Sequence, residues 1–220
     1  MKTIQTVTIS FPEIKLRVRD AHKLRGYFGN LFQEHSPLLH NHYENGKLRY
    51  AYPLVQYKVI NQKPTLVGLG EGAHLLTQLF LEMKELHIEG RCYPVLEKNI
   101  EAKNYTIGLE ENLQEYRFQT LWLALNQKNY GYYRQLDGTQ RHKQLVSILL
   151  RNILSLYKEL GLRLTPEERI LASLRVKEKT TQFKNQKMLA FSGFFTTNAL
   201  LPDKIGLGKA VSRGFGTVVQ

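Results

Sequence analysis

The order of secondary-structure signals predicts an α+β protein: two tandem ferredoxin-like (βαββαβ) domains, the second degenerate, with a C-terminal glycine-rich loop. Three observations predict it. Strand-like and helix-like patterns follow one another as β-α-β-β-α-β over the first half of the 220 residues. The second half repeats that order incompletely, with no repeat in the letters themselves. No low-complexity linker separates the halves, so domains over 1–110 and 111–220 are expected to pack closely.

Each element has its own signal. Residues 3–11, "TIQTVTISF", are β-branched and alternating, which predicts a strand. Asp20 is a candidate N-cap, and Leu24, Tyr27, Phe28, Leu31 and Phe32 follow at helical spacing. Pro37 and Asn45-Gly46 bracket a loop, and residues 48–60 and 64–70 read as strands. Residues 72–86 read as a helix, and the turn-rich stretch from His87 to Leu109 as strands. In the second half a strand is predicted over 115–126 and a loop or short helix from Asn129. The longest helix spans 139–162, with Leu145, Ile148, Leu149, Leu156 and Leu160 on one side. Two strands follow around a basic turn near Asn185, then the glycine segment and a short final strand, "GTVV".

Composition narrows the function. A chain with 42% hydrophobic and 23% charged residues has enough apolar matter for a core, which argues against disorder. The net charge of +12 points to a polyanionic partner. No basic amphipathic helix or membrane-length apolar run is present, so nucleic acid is favoured over a membrane. The single cysteine, Cys92, makes an intramolecular disulfide impossible, and no cysteine-based zinc site is expected. With no leader-like start, the expected location is cytoplasmic.

The chain closes on "GLGKAVSRGFG", with Gly206, Gly208, Gly214 and Gly216 spaced as G-x-G-x-x-x-x-x-G-x-G. A dinucleotide fingerprint needs a third glycine where Val211 stands, and a helix and strand beyond it, and a P-loop needs Gly-Lys-Ser/Thr. Neither is present. What remains is a loop whose exposed N–H groups can form an anion-binding concavity, with Lys209, Ser212 and Arg213 supplying charge and a hydroxyl. A turn before an edge strand is the plain alternative.

His40 and His42 stand two apart in "LHNHYENGKLRY". In an extended segment both rings face the same way, with Cα atoms roughly 6–7 Å apart. Two imidazoles at that separation can flank one phosphate, one accepting and the other donating a proton near neutral pH. RNA carries its own nucleophile, the ribose 2′-OH, so such a pair needs no metal. Lys47, Arg49 and Tyr50 are near enough in sequence to steady the charge on the phosphorane. His-x-His is also a metal-ligand spacing, although Glu44 is the only carboxylate nearby, and two solvated histidines are the third option. His35 is a lesser candidate. The basic run Arg175, Lys177, Lys179, Lys184 and Lys187 is either a solvated face or a track for an RNA strand.

Taken together, the terminal glycine pattern, the element order and a histidine after the first helix resemble the CRISPR-associated endoribonucleases that process precursor CRISPR RNA, within the RAMP superfamily. The wording "LRGYFGNLF", "LLHNHYENGKLRYAYPLVQYKVI" and "LVGLGEGA" looks most like the subtype I-B branch. The resemblance covers nearly the whole chain. It implies cleavage within each repeat by 2′-OH attack, without metal or cofactor, leaving a 2′,3′-cyclic phosphate and a 5′-OH. It implies catalytic roles for His40 and His42, with Lys47 and Tyr50 beside them. RNA contacts are implied for Gly206, Gly208, Lys209, Ser212, Arg213, Gly214 and Gly216. The partners it brings are CRISPR repeat RNA, effector-complex proteins and a second copy of the chain, and no membrane. Because the superfamily also holds RNA binders that do not cut, a non-cleaving CRISPR RNA-binding protein is the alternative. A metal-dependent hydrolase built on His40 and His42 is a third.

Overall fold

The computed structural model describes residues 1–32, 51–183 and 186–220, save the side chain of Phe183. By contact, the chain divides into two units. One comprises Thr3–Tyr105 with Ser212–Gly214; the other comprises Met1–Lys2, Thr106–Val211 and Phe215–Gln220.

In the first unit, β1 (Lys2–Ser10) leads through a 3₁₀ turn to α1 (Ala21–Leu31). Then come β2 (Val55–Ile60), β3 (Lys63–Leu69), α2 (Glu71–Leu79), the hairpin β4 (Glu85–Ile88) and β5 (Arg91–Pro94), and the start of β6 (Asn99–Phe118). The sheet order β2-β3-β1-β6 is that of a ferredoxin-like unit, with β4 and β5 as an added two-stranded ribbon. Val7 and Ile9 of β1, Val55, Tyr57 and Val59 of β2 and Leu66 of β3 share one buried core with Leu24 and Phe28 of α1 and Leu75, Leu76 and Leu79 of α2. Both helices therefore cover one face of the sheet. Phe28 is the centre of an aromatic group, with the rings of Phe11, Phe32 and Tyr57 at 6.2, 6.1 and 5.9 Å. Burying such a ring contributes about 1.5–3 kcal/mol.

The two tight turns of this unit share one solution. Asn61 and Gln62 between β2 and β3, and Glu89 and Gly90 between β4 and β5, all have positive φ. That is the two-residue turn whose twist matches paired strands.

The second unit holds the rest of β6, α3 (Gln127–Gln135), α4 (Gly138–Glu159), β7 (Ala172–Phe183), β8 (Gln186–Leu200) and β9 (Val218–Val219). β9 pairs with β6, which pairs with β8, which pairs with β7. The unit keeps ferredoxin-like order while the glycine segment stands where the second helix would be, and this is the degeneracy expected from sequence. Asp137 and Gln140 cap α4 reciprocally, and Leu145, Ile148, Leu149, Ile153, Leu156 and Tyr157 bury its inner face. Tyr157 donates to the carbonyl of Gly108 at 2.6 Å. Trp122, stacked on Phe118 at 5.1 Å, reaches Asn152 Oδ1 with its Nε1–H at 3.3 Å.

Three sequence expectations need correction. The predicted strand 48–60 begins at Val55 among the described residues, because Pro53 has no N–H to give a ladder. The helix expected to reach residue 86 stops at Leu79, with a 3₁₀ turn to Glu82. Met83 and Leu86 continue the helical spacing, but Leu86 and Ile88 are the inward residues of a strand. The strand expected over 115–126 ends at Phe118. Trp122, Leu123, Ala124 and Leu125 are all buried, a run without the alternation of a half-exposed strand, and Trp122 makes only an isolated bridge to Phe191. Among the described residues no helix is long and apolar enough to cross a membrane.

Candidate nucleic-acid interface

His40, His42, Lys47 and Tyr50 lie outside the described residues, as does Lys184. The elements that flank the histidine segment are described. Phe32, which follows α1, is 2% exposed and belongs to the core, and Tyr52, before β2, is 7% exposed.

The base of the glycine segment is an antiparallel ribbon in the second unit. Leu207 N–H donates to Gly216 O at 2.9 Å, Lys204 N–H to Val218 O at 2.8 Å and Val218 N–H to Ile205 O at 2.8 Å. Gly216 has φ +64°, and a Cβ there would stand 1.9 Å from Leu207 O; one on Gly208 would meet the indole of Trp122 at 2.6 Å. These glycines are required by the chain's own close approach. Lys209 is exposed and its N–H is held by Leu123 O at 2.9 Å.

The turn Ser212–Gly214 belongs to the first unit. Gly214 has φ +85°, and a Cβ would lie 2.9 Å from Ala21 Cβ and 3.2 Å from Tyr57 O. The turn is therefore seated where α1 begins and β2 passes. This seating sets Arg213 beside Arg25 of α1. Burial lowers the affinity of both guanidiniums for their protons, and the charge of Arg25 lowers that of Arg213 further. Guanidiniums stay ionised regardless. Two half-buried like charges close together are an arrangement that an anion would relieve. Lys58, on β2, is fully buried, and desolvation pulls it down to about 7. Without exposure it is no phosphate contact, and its influence is through position and charge.

A second basic surface lies in the same unit. A cavity of 440 Å³ is lined by Lys15, Arg17, Arg19 and Arg91, with Tyr93 at its wall. Its two acids, Asp20 and Glu89, are both ion-paired to Lys23, so the lining is positive. In the second unit, Arg175, Lys177 and Lys179 alternate along β7, all exposed on one side, and Lys187 is exposed on β8.

Sequence reading missed Arg25 and Lys58. Arg25 is a cation next to the apolar stripe of α1, and Lys58 is a charge inside the buried run "VQYKV". Both are local signals, but the meaning of Arg25 depends on Arg213, more than 150 residues away.

Two ferredoxin-like units, the second with a glycine-rich segment in place of a helix, define a RAMP-type fold. The family comparison is specific: the Cas6b N-terminal domain matches residues 2–106 and the Cas6b C-terminal domain residues 108–220. This chain belongs to the Cas6b family of CRISPR-associated endoribonucleases. Among solved structures, a Cas6b crystal structure shares 37% identity over 100% of both chains, with a TM-score of 0.92. A second, the CRISPR RNA processing endoribonuclease Cas6b, shares 34% over 99% of both chains, with a TM-score of 0.79. An uncharacterised protein of Methanocaldococcus jannaschii is 35% identical over 144 residues, covering 65% of this chain and 97% of its own.

Proposed function

We propose that the protein is a metal-independent endoribonuclease that cuts CRISPR repeat RNA through the ribose 2′-OH. The observation that carries this reading is full-length similarity to a CRISPR RNA processing endoribonuclease, in a chain that keeps a histidine pair between α1 and β2.

One imidazole of the His40–His42 pair takes the 2′-OH proton. The 2′-oxygen attacks the adjacent phosphorus, the bond from phosphorus to the 5′-oxygen breaks, and the second imidazole gives that oxygen a proton. The products are a 2′,3′-cyclic phosphate and a 5′-OH, and no water or metal enters the balance. Lys47 and Tyr50 offset the charge that builds on the non-bridging oxygens. Arg25, Arg213 and Ser212 hold a phosphate of the bound strand, and Lys209 supplies further positive charge to the RNA backbone. The basic cavity of Lys15, Arg17, Arg19 and Arg91 in the first unit and the basic face of β7 in the second each offer contacts to RNA phosphates. Charge of this kind positions RNA without reading it, so specificity falls to a hairpin shape or splayed bases.

The test is cleavage of repeat RNA in excess EDTA. Wild type should cut; His40→Ala and His42→Ala should each lose activity by on the order of 10²–10⁴-fold while still binding. Loss of activity in EDTA that is restored by a divalent cation would favour the metal-dependent reading. Tight binding without product would favour the non-cleaving one.

A further inference from the structure

Cys92, the sole cysteine, does not stand alone. It lies on β5 directly opposite His87 of β4, and Glu85, two residues before His87, projects from the same face. Glu85 Oε1 is 2.7 Å from His87 Nε2, and Cys92 Sγ is 3.4 Å from Glu85 Oε2. The ligating atoms of all three residues lie within 4.8 Å of one another, and all three side chains are exposed. Tetrahedral coordination at the usual bond lengths places neighbouring ligand atoms roughly 3.3–3.8 Å apart, so small side-chain rotations suffice to bring them around one ion.

The frame beneath these groups is set. The Glu89-Gly90 turn fixes the register that pairs His87 with Cys92. Leu86 and Ile88, on the other face of β4, are in the core. Tyr27 of α1 donates to Glu85 O at 2.8 Å, and its ring lies 5.8 Å from that of His87.

We propose that Glu85, His87 and Cys92 form a binding site for a thiophilic divalent cation of the zinc class, with a fourth position open to water. One sulfur, one nitrogen and one oxygen donor suit zinc, whereas magnesium and calcium select oxygen alone. The site ties β4 to β5, two strands of four residues each, a length at which pairing alone is marginal. It is separate in sequence from His40 and His42, takes no part in cleavage, and stands or falls independently of the nuclease reading.

The test uses untagged full-length protein and Co²⁺ as the probe, with Zn²⁺ as competitor. A thiolate bound to Co²⁺ gives an intense near-ultraviolet charge-transfer band, and here only Cys92 can produce it. One equivalent of Co²⁺ should raise the band and Zn²⁺ should displace it. Cys92→Ser should abolish it, while His87→Ala and Glu85→Gln should each weaken Co²⁺ binding by on the order of tenfold or more. The His40→Ala/His42→Ala double variant should leave band and affinity unchanged. Zn²⁺ should raise the Tm of wild type and not that of Cys92→Ser. Absence of the band, a band indifferent to both His87→Ala and Glu85→Gln, or an equal Tm rise in Cys92→Ser would each overturn the proposal.

Discussion

Among the described residues, Lys58 carries a clear electrostatic cost. It is fully buried, and desolvation lowers its folded-state value to about 7 from an ordinary 10.5. Between those two values the unfolded chain holds a proton that the folded chain has released. Stability therefore rises with pH through this window and levels off below pH 7, where both states hold the proton. The linkage is worth about 5 kcal/mol as an upper figure. Lys58→Met is expected to be more stable than wild type at pH 6, with the advantage shrinking by several kcal/mol towards pH 10.5. Urea unfolding of both proteins across that range measures it, and a pH-independent difference would refute it. Arg25 and Arg213 act at the same scale. Arg213→Ala and Arg25→Ala should each weaken RNA binding and lower the salt slope by about 1, with little effect on cleavage of bound RNA. If both hold one phosphate, the double variant loses less than the sum of the singles. An unchanged slope in either single variant would remove that residue from the phosphate site.

Among the elements, the glycine segment shows how far a pattern can be read. Its spacing was visible in the letters, and so was the absence of the third glycine and the Gly-Lys-Ser/Thr that a nucleotide loop needs. What the letters did not contain is the neighbour of each glycine. Gly216 is a glycine because Leu207 O leaves no room for a Cβ, and Gly214 because Ala21 and Tyr57 leave none. Gly214→Ala is expected to cost about 1–3 kcal/mol through its positive φ and that contact, and to weaken RNA binding by displacing Arg213. Thermal unfolding with a binding isotherm checks both, and a variant matching wild type in each would contradict the seating. The hairpin β4–β5 gives the opposite lesson. Leu75, Leu76, Leu79, Met83 and Leu86 sustain a helical period, yet the helix ends at Leu79. Periodicity cannot tell Leu86 on a helix from Leu86 on a strand, since either places it in the core. The Glu85–His87–Cys92 grouping was illegible for the same reason: it exists only once β4 pairs with β5.

At the scale of the whole molecule, the element order βαββαβ followed by an incomplete copy was legible because each strand and helix kept its own period. Sheet order β2-β3-β1-β6 in one unit and β9-β6-β8-β7 in the other is what that element order builds. Charge was legible too. A net +12 favours a polyanionic partner, and the described residues distribute cations over a basic cavity, the face of β7 and the Arg25–Arg213 pair. The catalytic reading rests on His40 and His42, which chemistry rather than packing singled out. Repeat RNA with a single 2′-deoxy substitution at the cut nucleotide, incubated beside the all-ribose RNA in EDTA, tests ribose-assisted cleavage most directly. Cutting of the ribose strand to a 2′,3′-cyclic phosphate, with the deoxy strand bound but intact, is the predicted result. Cutting of both strands alike would contradict the 2′-OH as nucleophile.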